Sequence, residues 1–330
     1  MRDLLERSIT RLQAGERVVW CVILSAEGSA PRGPGAKMAV FEDGTSVGTV
    51  GGGAVEYHTV EIARTLNDGK GIVRDFDLFS GGSEATGMVC GGHVQIGFLP
   101  LGPSDAEQLR FMLRLWEDKL PDCRGWLLKL AFLHEGCTIK LQRSDADLLH
   151  GESELFPRVP TVLEKDDGLL YVEPVRPKER VYIFGAGHVS QALVPVLLPL
   201  DFSITVVDPR PELTTSRRFP GASLLCAAFD PLPSSVSIKK QDYVVVMTPG
   251  HEKDLSVLRQ VLRTPASYIG CIGSRKKTAY VNQKLLEEGY SEAEISRIHA
   301  PIGLPILAKT PEEIAISIAA EMILHRAETK

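Results

Sequence analysis

No stretch of this 330-residue chain approaches the roughly 20 consecutive apolar residues of a membrane-crossing helix, so no span is predicted. Positive charge is not in excess either. A net charge of -5 argues against a nucleic-acid binder or a membrane-surface protein, both of which present a basic face. Cysteine is sparse and irregularly spaced, six residues in all, which excludes a disulfide framework and points to reduced thiols. The opening "MRDLLERSITRLQAGE" is charged throughout and has no signal-peptide pattern, so the expected location is cytoplasmic. No internal repeat or low-complexity segment stands out. The 44% hydrophobic and 24% charged content is that of an ordinary soluble globular protein.

The length suggests two domains, each able to bury its own core. The boundary falls in "VEPVRPKER" (172–180), a proline- and charge-rich stretch that reads as a linker. This gives domains over 1–175 and 176–330. In the first, residues 1–14 read as a helix with Leu5, Ile9 and Leu12 on one face. "RVVWCVILS" (17–25) reads as a central strand, apolar on both faces. A helix follows from 54 to a C-cap near Gly69, then strands "IVRDFDLF" and "VQIGFLPL". "SDAEQLRFMLRLWEDKL" opens with a capping box, Ser104 to Glu107, and places Leu109, Met112, Leu113 and Trp116 together. Further strands are expected near 125–133, 137–142 and 169–173.

Beyond the linker, strands and helices alternate, the pattern of a doubly wound parallel sheet. The fold class is therefore α/β throughout, with a Rossmann-type C-terminal domain. Pro195 and Pro199 predict a short or kinked first crossover helix. The last helix has Thr310 as N-cap, Pro311 as first residue and Glu313 completing a capping box. Its buried face would hold Ala315, Ile318, Ala319, Met322 and Ile323.

"VYIFGAGHVSQAL" sets Gly185 and Gly187 between a strand and a helix, with Ser190 at the third fingerprint position. Asp208 ends the next strand, 23 residues after Gly185, about where an acid meets the ribose hydroxyls of NAD. Asp208 would repel a 2′-phosphate that Arg210 would otherwise attract, so NAD(H) is the expected nucleotide over NADP. A Rossmann fold that needs the turn but binds no nucleotide fits the same residues. The crevice would also gather Thr248, His251, Gly273, Ser274 and Arg275 at the strand ends. Lys276 and Lys277 read as a solvated start to the next helix. A hydride-transfer enzyme needs an acid or base. His188 and His251 are the candidates, and packing explains His188 equally well. No His-Asp or Ser-Tyr-Lys arrangement accompanies them.

In the first domain, glycine is concentrated in "GSAPRGPGAKMAVFEDGTSVGTVGGGAVE" (28–56). Arg32 and Lys37 bracket one turn. Gly51, Gly52 and Gly53 precede a helix, where backbone amides favour an anion. Glu56, in that helix's first turn, either complements the dipole or faces the site. A second glycine loop holds "MVCGGHV", with Cys90 beside Gly91 and Gly92. Unlike Cys21, which reads as a buried strand residue, Cys90 lies on open backbone, suited to a soft metal or to sulfur. Cys90 and His93 have half a zinc spacing, but no second CxxC or HxxxH exists, so structural zinc is not expected. An anion cradle, a basic pair and a thiol suit a ligand that carries both a phosphate and a metal–sulfur centre.

These motifs resemble the XdhC/CoxI family, accessory proteins that mature molybdenum hydroxylases. The resemblance rests on "GSAPRGPGAKM", "GTVGGGAVE" and "CGG", then "FGAGHVSQAL", "TVVDPR", "RFP", "YIGCIGSRKK", "PIGLPI" and "KTPEEIAISIAAEMI". It spans nearly the whole chain. It implies a protein that binds molybdenum cofactor, protects it, presents it for sulfuration and inserts it into an apo molybdenum hydroxylase. The implied partners are that hydroxylase and a cysteine desulfurase-type sulfur donor. Cys90 would contact the molybdenum or its sulfur. A homodimer would suit a protein that holds a labile ligand between surfaces. One departure is plain. The family usually reads Thr-His-Asp-His after the fourth Rossmann strand, and here "MTPGHEKD" has Pro249 and Gly250 after Thr248, while His251 and Asp254 remain. The rival expectation is an NAD-dependent oxidoreductase using the Gly185 turn. A third is a scaffold bridging hydroxylase and sulfur donor.

Overall fold

A computed structural model of the chain describes residues 1–66, 70–78, 92–120, 123, 125–143 and 159–329. They form two compact units, Met1–Pro177 and Lys178–Lys330.

The first unit is built on β1 (Val18–Gly28), whose apolar run is buried on both faces. It pairs antiparallel with β2 (Lys37–Phe41) on one side and β5 (Gly92–Leu101) on the other. The short β3 (Ser46–Gly48) and β4 (Ile72–Asp77) complete a sheet of order β3-β2-β1-β5-β4. One face, with Val19, Cys21, Ile23, Met38 and Val40, packs on α2 (Gly53–Thr65) through Val55 and Ala63. The other face carries Trp20, Phe41 and Leu99 toward α1 (Arg2–Gln13) and α3 (Ala106–Trp116). Trp20 is wholly buried and its Nε1 donates to Ser8 Oγ at 3.0 Å, which satisfies the one polar atom the indole brings inside.

A second antiparallel sheet has the order β7-β6-β9-β8, from β6 (Trp126–Leu133), β7 (Gly136–Arg143), β8 (Thr161–Lys165) and β9 (Gly168–Pro174). It shares its core with the first, through Leu128, Leu130, Phe132 and Tyr171. Gly97 on β5 makes room for Phe132, because a Cβ there would lie 2.4 Å from the Phe132 ring.

The second unit is a six-stranded parallel sheet of order β12-β11-β10-β13-β14-β15. Its strands are β10 (Arg180–Phe184), β11 (Ser203–Asp208), β12 (Ser223–Cys226), β13 (Tyr243–Val246), β14 (Tyr268–Cys271) and β15 (Ile298–His299). The doubly wound sheet expected from the sequence is thus what forms, with the order reversing between β10 and β13. Helices α4 (His188–Leu197) and α8 (Pro311–Thr329) cover one face. On the other lie α5 (His251–Val261) and α6 (Arg275–Glu287), with the short α7 (Glu292–Ile295) beyond. Pro195 lies inside α4, which is short, and a 3-10 turn containing Pro199 follows it.

Four expectations change. Val172 to Pro174, read as linker, end β9, and Glu173 there is a buried partner of Lys37 rather than a linker charge. The Ser104 box does not form: the Asp105 carboxylate accepts from the Gly102 amide at 2.8 Å in a 3-10 turn, Pro103–Asp105, and α3 follows without a side-chain cap. Leu115 joins the buried face of α3, while Leu113 is only partly covered. On α8, Ala315, Ile318, Ala319 and Met322 are buried as expected, but Ile323 is 44% exposed. The Thr310 cap is present: Glu313 N donates to Thr310 Oγ1 at 3.2 Å and Thr310 N to Glu313 Oε2 at 3.0 Å. Gly69 lies outside the described residues.

Candidate functional site

Three glycine-bearing segments of the first unit converge. The turn after β1 puts Pro31 against Gly51, where a Cβ would stand 2.7 Å from the proline Cγ. The first residue of β5, Gly92, lies against the same turn, with a Cβ there 2.8 Å from the Glu27 carbonyl and 3.1 Å from the Ala30 nitrogen. Nothing lies within 4 Å of a Cβ at Gly33 or Gly52, so both glycines face open space. Arg32, next to Gly33 in sequence, is exposed. Cys90 and Gly91 lie outside the described residues.

The triple glycine carries its own acceptor. Gly51, Gly52 and Gly53 have φ of 130°, 81° and 60°, a run that side chains resist. The run turns the amides inward. Gly51 N donates to Thr49 Oγ1 at 3.1 Å, the Thr49 hydroxyl donates to Glu56 Oε1, and Gly52 N donates to the same oxygen at 3.0 Å. The slot read as an anion cradle is therefore filled by the Glu56 carboxylate. Glu56 complements the helix start, and its side chain is half-buried. Among the described residues, Glu56 Oε2 receives no hydrogen bond.

Lys37 does not join the rim as a free cation. It is 7% exposed, and its Nζ donates to Glu173 Oε1 at 2.5 Å and to the Gly35 carbonyl at 3.0 Å. Glu173 also accepts from the Tyr171 hydroxyl. Burial of the ammonium demands a counter-charge, and β9 supplies it. Sequence reasoning missed this because Glu173 is more than a hundred residues away.

His93 lies opposite Asp77 across β4 and β5. Its Nδ1 meets Asp77 Oδ1 at 2.9 Å and its Nε2 meets Asp75 Oδ1 at 3.1 Å. The hydrogen bond with Asp77 raises the imidazole above its ordinary value against the opposing effect of burial, and Asp75 adds to the rise. Alternation along β4 was the available signal, since it sends both aspartates to one face. Among the described residues, no three His, Cys, Asp or Glu side chains group as metal ligands.

In the second unit, Gly185 has φ 110° and a Cβ there would lie 2.2 Å from the Met247 carbonyl, so this glycine lets β10 and β13 approach. Ser190 replaces the third glycine and donates to the Gly185 carbonyl at 2.5 Å. Gly187 caps α4 and nothing lies within 4 Å of a Cβ there. Arg218, of the "RFP" segment, donates from Nη2 to the Ala186 carbonyl at 3.3 Å.

Asp208 stands where the spacing put it, and its carboxylate is taken up inside the protein. It is 0% exposed. Its Oδ1 accepts from Arg210 N at 3.0 Å and Nε at 2.8 Å, and its Oδ2 from Ala186 N and Arg210 Nη2, both at 2.7 Å. A carboxylate has about four lone-pair sites, and all are taken. Burial pushes the carboxyl up, but the Arg210 side chain and the two amides outweigh it and hold it below the ordinary range. Arg210 is correspondingly drawn onto the acid and away from any 2′-phosphate.

Of the other crevice residues, His188 and His251 are exposed first residues of α4 and α5. His251 Nε2 lies 3.3 Å from Glu252, and its ring meets Tyr280 edge-on at 5.2 Å. Ser274 is the N-cap of α6, accepting from Lys277 N at 3.3 Å, and Arg275 is exposed beside it. Lys277 is half-buried and paired rather than a solvated helix start: its Nζ donates to the wholly buried Asp254 and to the Ile272 carbonyl at 3.1 Å. Asp254 also accepts from Thr248 N at 2.9 Å and Oγ1 at 2.6 Å, so it closes the segment that departs from the family pattern.

The two units together define an α/β protein in which a glycine-rimmed antiparallel domain precedes a Rossmann domain. The model of the XdhC Rossmann domain matches residues 181–322, and that of the XdhC and CoxI family matches residues 11–77. These matches bear out the resemblance of the motifs to the XdhC and CoxI family. It is 28% identical to a Bacillus subtilis protein named as a probable xanthine dehydrogenase subunit, over 96% of this chain and 95% of that one. It is 24% identical to the molybdenum cofactor insertion chaperone PaoD of Escherichia coli, over 99% of this chain and 90% of that one. A crystal structure of a xanthine dehydrogenase from Bacillus halodurans matches with a TM-score of 0.80 at 25% identity, covering 99% of this chain and 96% of that one. Among the described residues no helix is long and apolar enough to cross a membrane.

Proposed function

We propose that this protein binds molybdenum cofactor and delivers it to a xanthine dehydrogenase-type molybdenum hydroxylase, acting by binding rather than turnover. The observation that carries the reading is the convergence of the Pro31 turn, the Gly51 turn and Gly92 into one open-faced rim with Arg32 exposed. The relatives named for cofactor insertion and for xanthine dehydrogenase support it. A phosphate-bearing ligand fits such a rim, with Arg32 as its cation. Cys90, two residues before Gly92 in sequence, is the thiol proposed to meet the metal or its sulfur. Sulfuration by a cysteine desulfurase-type donor, work as a homodimer and a cytoplasmic location belong to the same proposal.

The test is to mix the protein with cofactor released from a molybdenum enzyme and follow co-elution of molybdenum and pterin. Wild type is expected to retain both, while Arg32→Ala and Cys90→Ser lose most of them. Equal retention by all three would sink the site assignment. The rival NAD-dependent oxidoreductase keeps the open turn at Gly187 but loses its ribose acceptor, because Asp208 is saturated. Calorimetry with NAD and NADH is expected to show no binding at millimolar nucleotide. Saturable heat would restore that rival.

A further inference from the structure

We propose that Glu56 is the recognition group for the heterocycle of the ligand, reading a 2-amino-4-oxopyrimidine edge, and that the triple-glycine turn takes no phosphate. The proposal rests on the cofactor-binding reading and specifies which part of the ligand meets which part of the rim.

Amides at a helix start attract an anion. Here the Gly52 amide and the Thr49 hydroxyl already serve a carboxylate that belongs to the chain. A phosphate entering the same slot would meet a like charge at contact distance, a repulsion of about 4 kcal/mol at 4 Å near a protein surface. Phosphate is thereby directed away from Gly51 and Gly52 and toward Arg32.

Two donors fix Glu56 Oε1, which fixes the carboxylate plane, and among the described residues Oε2 has none. The side chain is half-buried and the Gly52 face beside it is open. A held carboxylate with an unused oxygen is a receptor for N–H donors, and charge-assisted bonds of this type are about twice as strong as neutral ones. Oε1 is filled by its two donors, and the two lone-pair sites left on Oε2 suit an edge with two adjacent donors, an exocyclic amine beside a ring N–H. Pterins carry it, and so does guanine. Adenine lacks that pair. The site therefore selects at both ends of a ligand: a cation for its phosphate and a carboxylate for its aminopyrimidine.

Two heterocycle sources share this edge, and the experiment separates them. Pterin fluorescence quenching is titrated with the full-length protein, and guanosine and adenosine are run as competitors. Pterin and guanosine, which share the edge, are expected to bind, and adenosine to fail. Lumazine, which carries an oxo group in place of the 2-amine, is expected to bind at least tenfold more weakly than pterin. In Glu56→Gln, which keeps an oxygen for Gly52 N and so preserves the turn, pterin affinity is expected to fall at least tenfold. Thermal melting checks that the variant folds. If it does not fold, the wild-type comparison of pterin with lumazine decides alone. Equal affinity for pterin and lumazine, or equal pterin binding by wild type and a folded Glu56→Gln, overturns the proposal. If released molybdenum cofactor still co-elutes in either case, only the assignment of Glu56 falls. If it does not co-elute, the cofactor-binding reading falls with it.

Discussion

The rim of the first unit and the crevice of the second are built from the same parts. Each has a glycine turn leading into a helix, and in each a carboxylate of the chain accepts from an amide of that turn: Glu56 from Gly52, Asp208 from Ala186. They differ in what is left over. Asp208 is wholly buried and saturated by four donors, two of them from one guanidinium. Glu56 is half-buried, and among the described residues only its Oε1 accepts hydrogen bonds. A glycine turn with an acid nearby therefore signals two opposite things, a closed structural lock or an open receptor, and only the donor count separates them.

The largest effect is expected at the edge of the rim, where Lys37 neutralises Glu173. Lys37→Ala leaves a buried carboxylate unpaired and should cost about 3–5 kcal/mol in denaturant unfolding, whereas Lys37→Met with Glu173→Leu should recover most of it. A mild single variant would return Lys37 to the pool of ligand-binding cations. Next comes the lock itself. Asp208→Asn turns an amide toward the Arg210 donors and should cost about 2–3 kcal/mol. The sign of its pH dependence is fixed by the depressed carboxyl. Its stabilisation is full above the ordinary carboxylate value of about 3.9 and is lost as pH falls toward the lower folded value. The acid limb of the stability curve should thus be steeper in wild type than in Asp208→Asn, and parallel limbs would refute the lock.

A smaller change is expected at the receptor. Glu56→Ala removes an acceptor at a helix start and should cost about 1 kcal/mol, like the loss of an N-cap. A loss as large as that of Asp208→Asn would erase the distinction between the two regions. The smallest concerns His93, whose exposed bonds to two aspartates are screened by water. Its raised value makes its contribution present below about pH 6.5 and lost as pH rises through the higher folded value. His93→Gln should destabilise by a few tenths of a kcal/mol at about pH 6 and by nothing measurable at about pH 9.

Much of the fold was legible because it rests on local signals. The alternation of β10 to β14 with helices, the Thr310 cap and the doubly buried β1 all follow from periodicity and capping within a few residues. Short pieces such as β3, β12 and β15 were not read, since so few residues carry no period. In the candidate sites, positions were legible and partners were not. Gly185, Ser190 and Asp208 stand where the fingerprint puts them, yet nothing local shows that Arg210 folds back on the acid. Lys37 with Glu173 and Lys277 with Asp254 are ion pairs closed by tertiary structure, and a lysine in sequence looks the same whether it meets water or a buried carboxylate.

The vacancy at Gly97 has a consequence for how the first unit comes apart. Phe132 of one sheet occupies the space where the other sheet has no side chain, a fit of key and keyhole. Neither sheet can slide or peel away without withdrawing an aromatic ring from that hole and exposing the shared apolar layer to water. The two sheets are thus expected to unfold as one cooperative block. A methyl group at position 97 would act as a wedge whose damage appears in β6, far along the chain from where it was driven in.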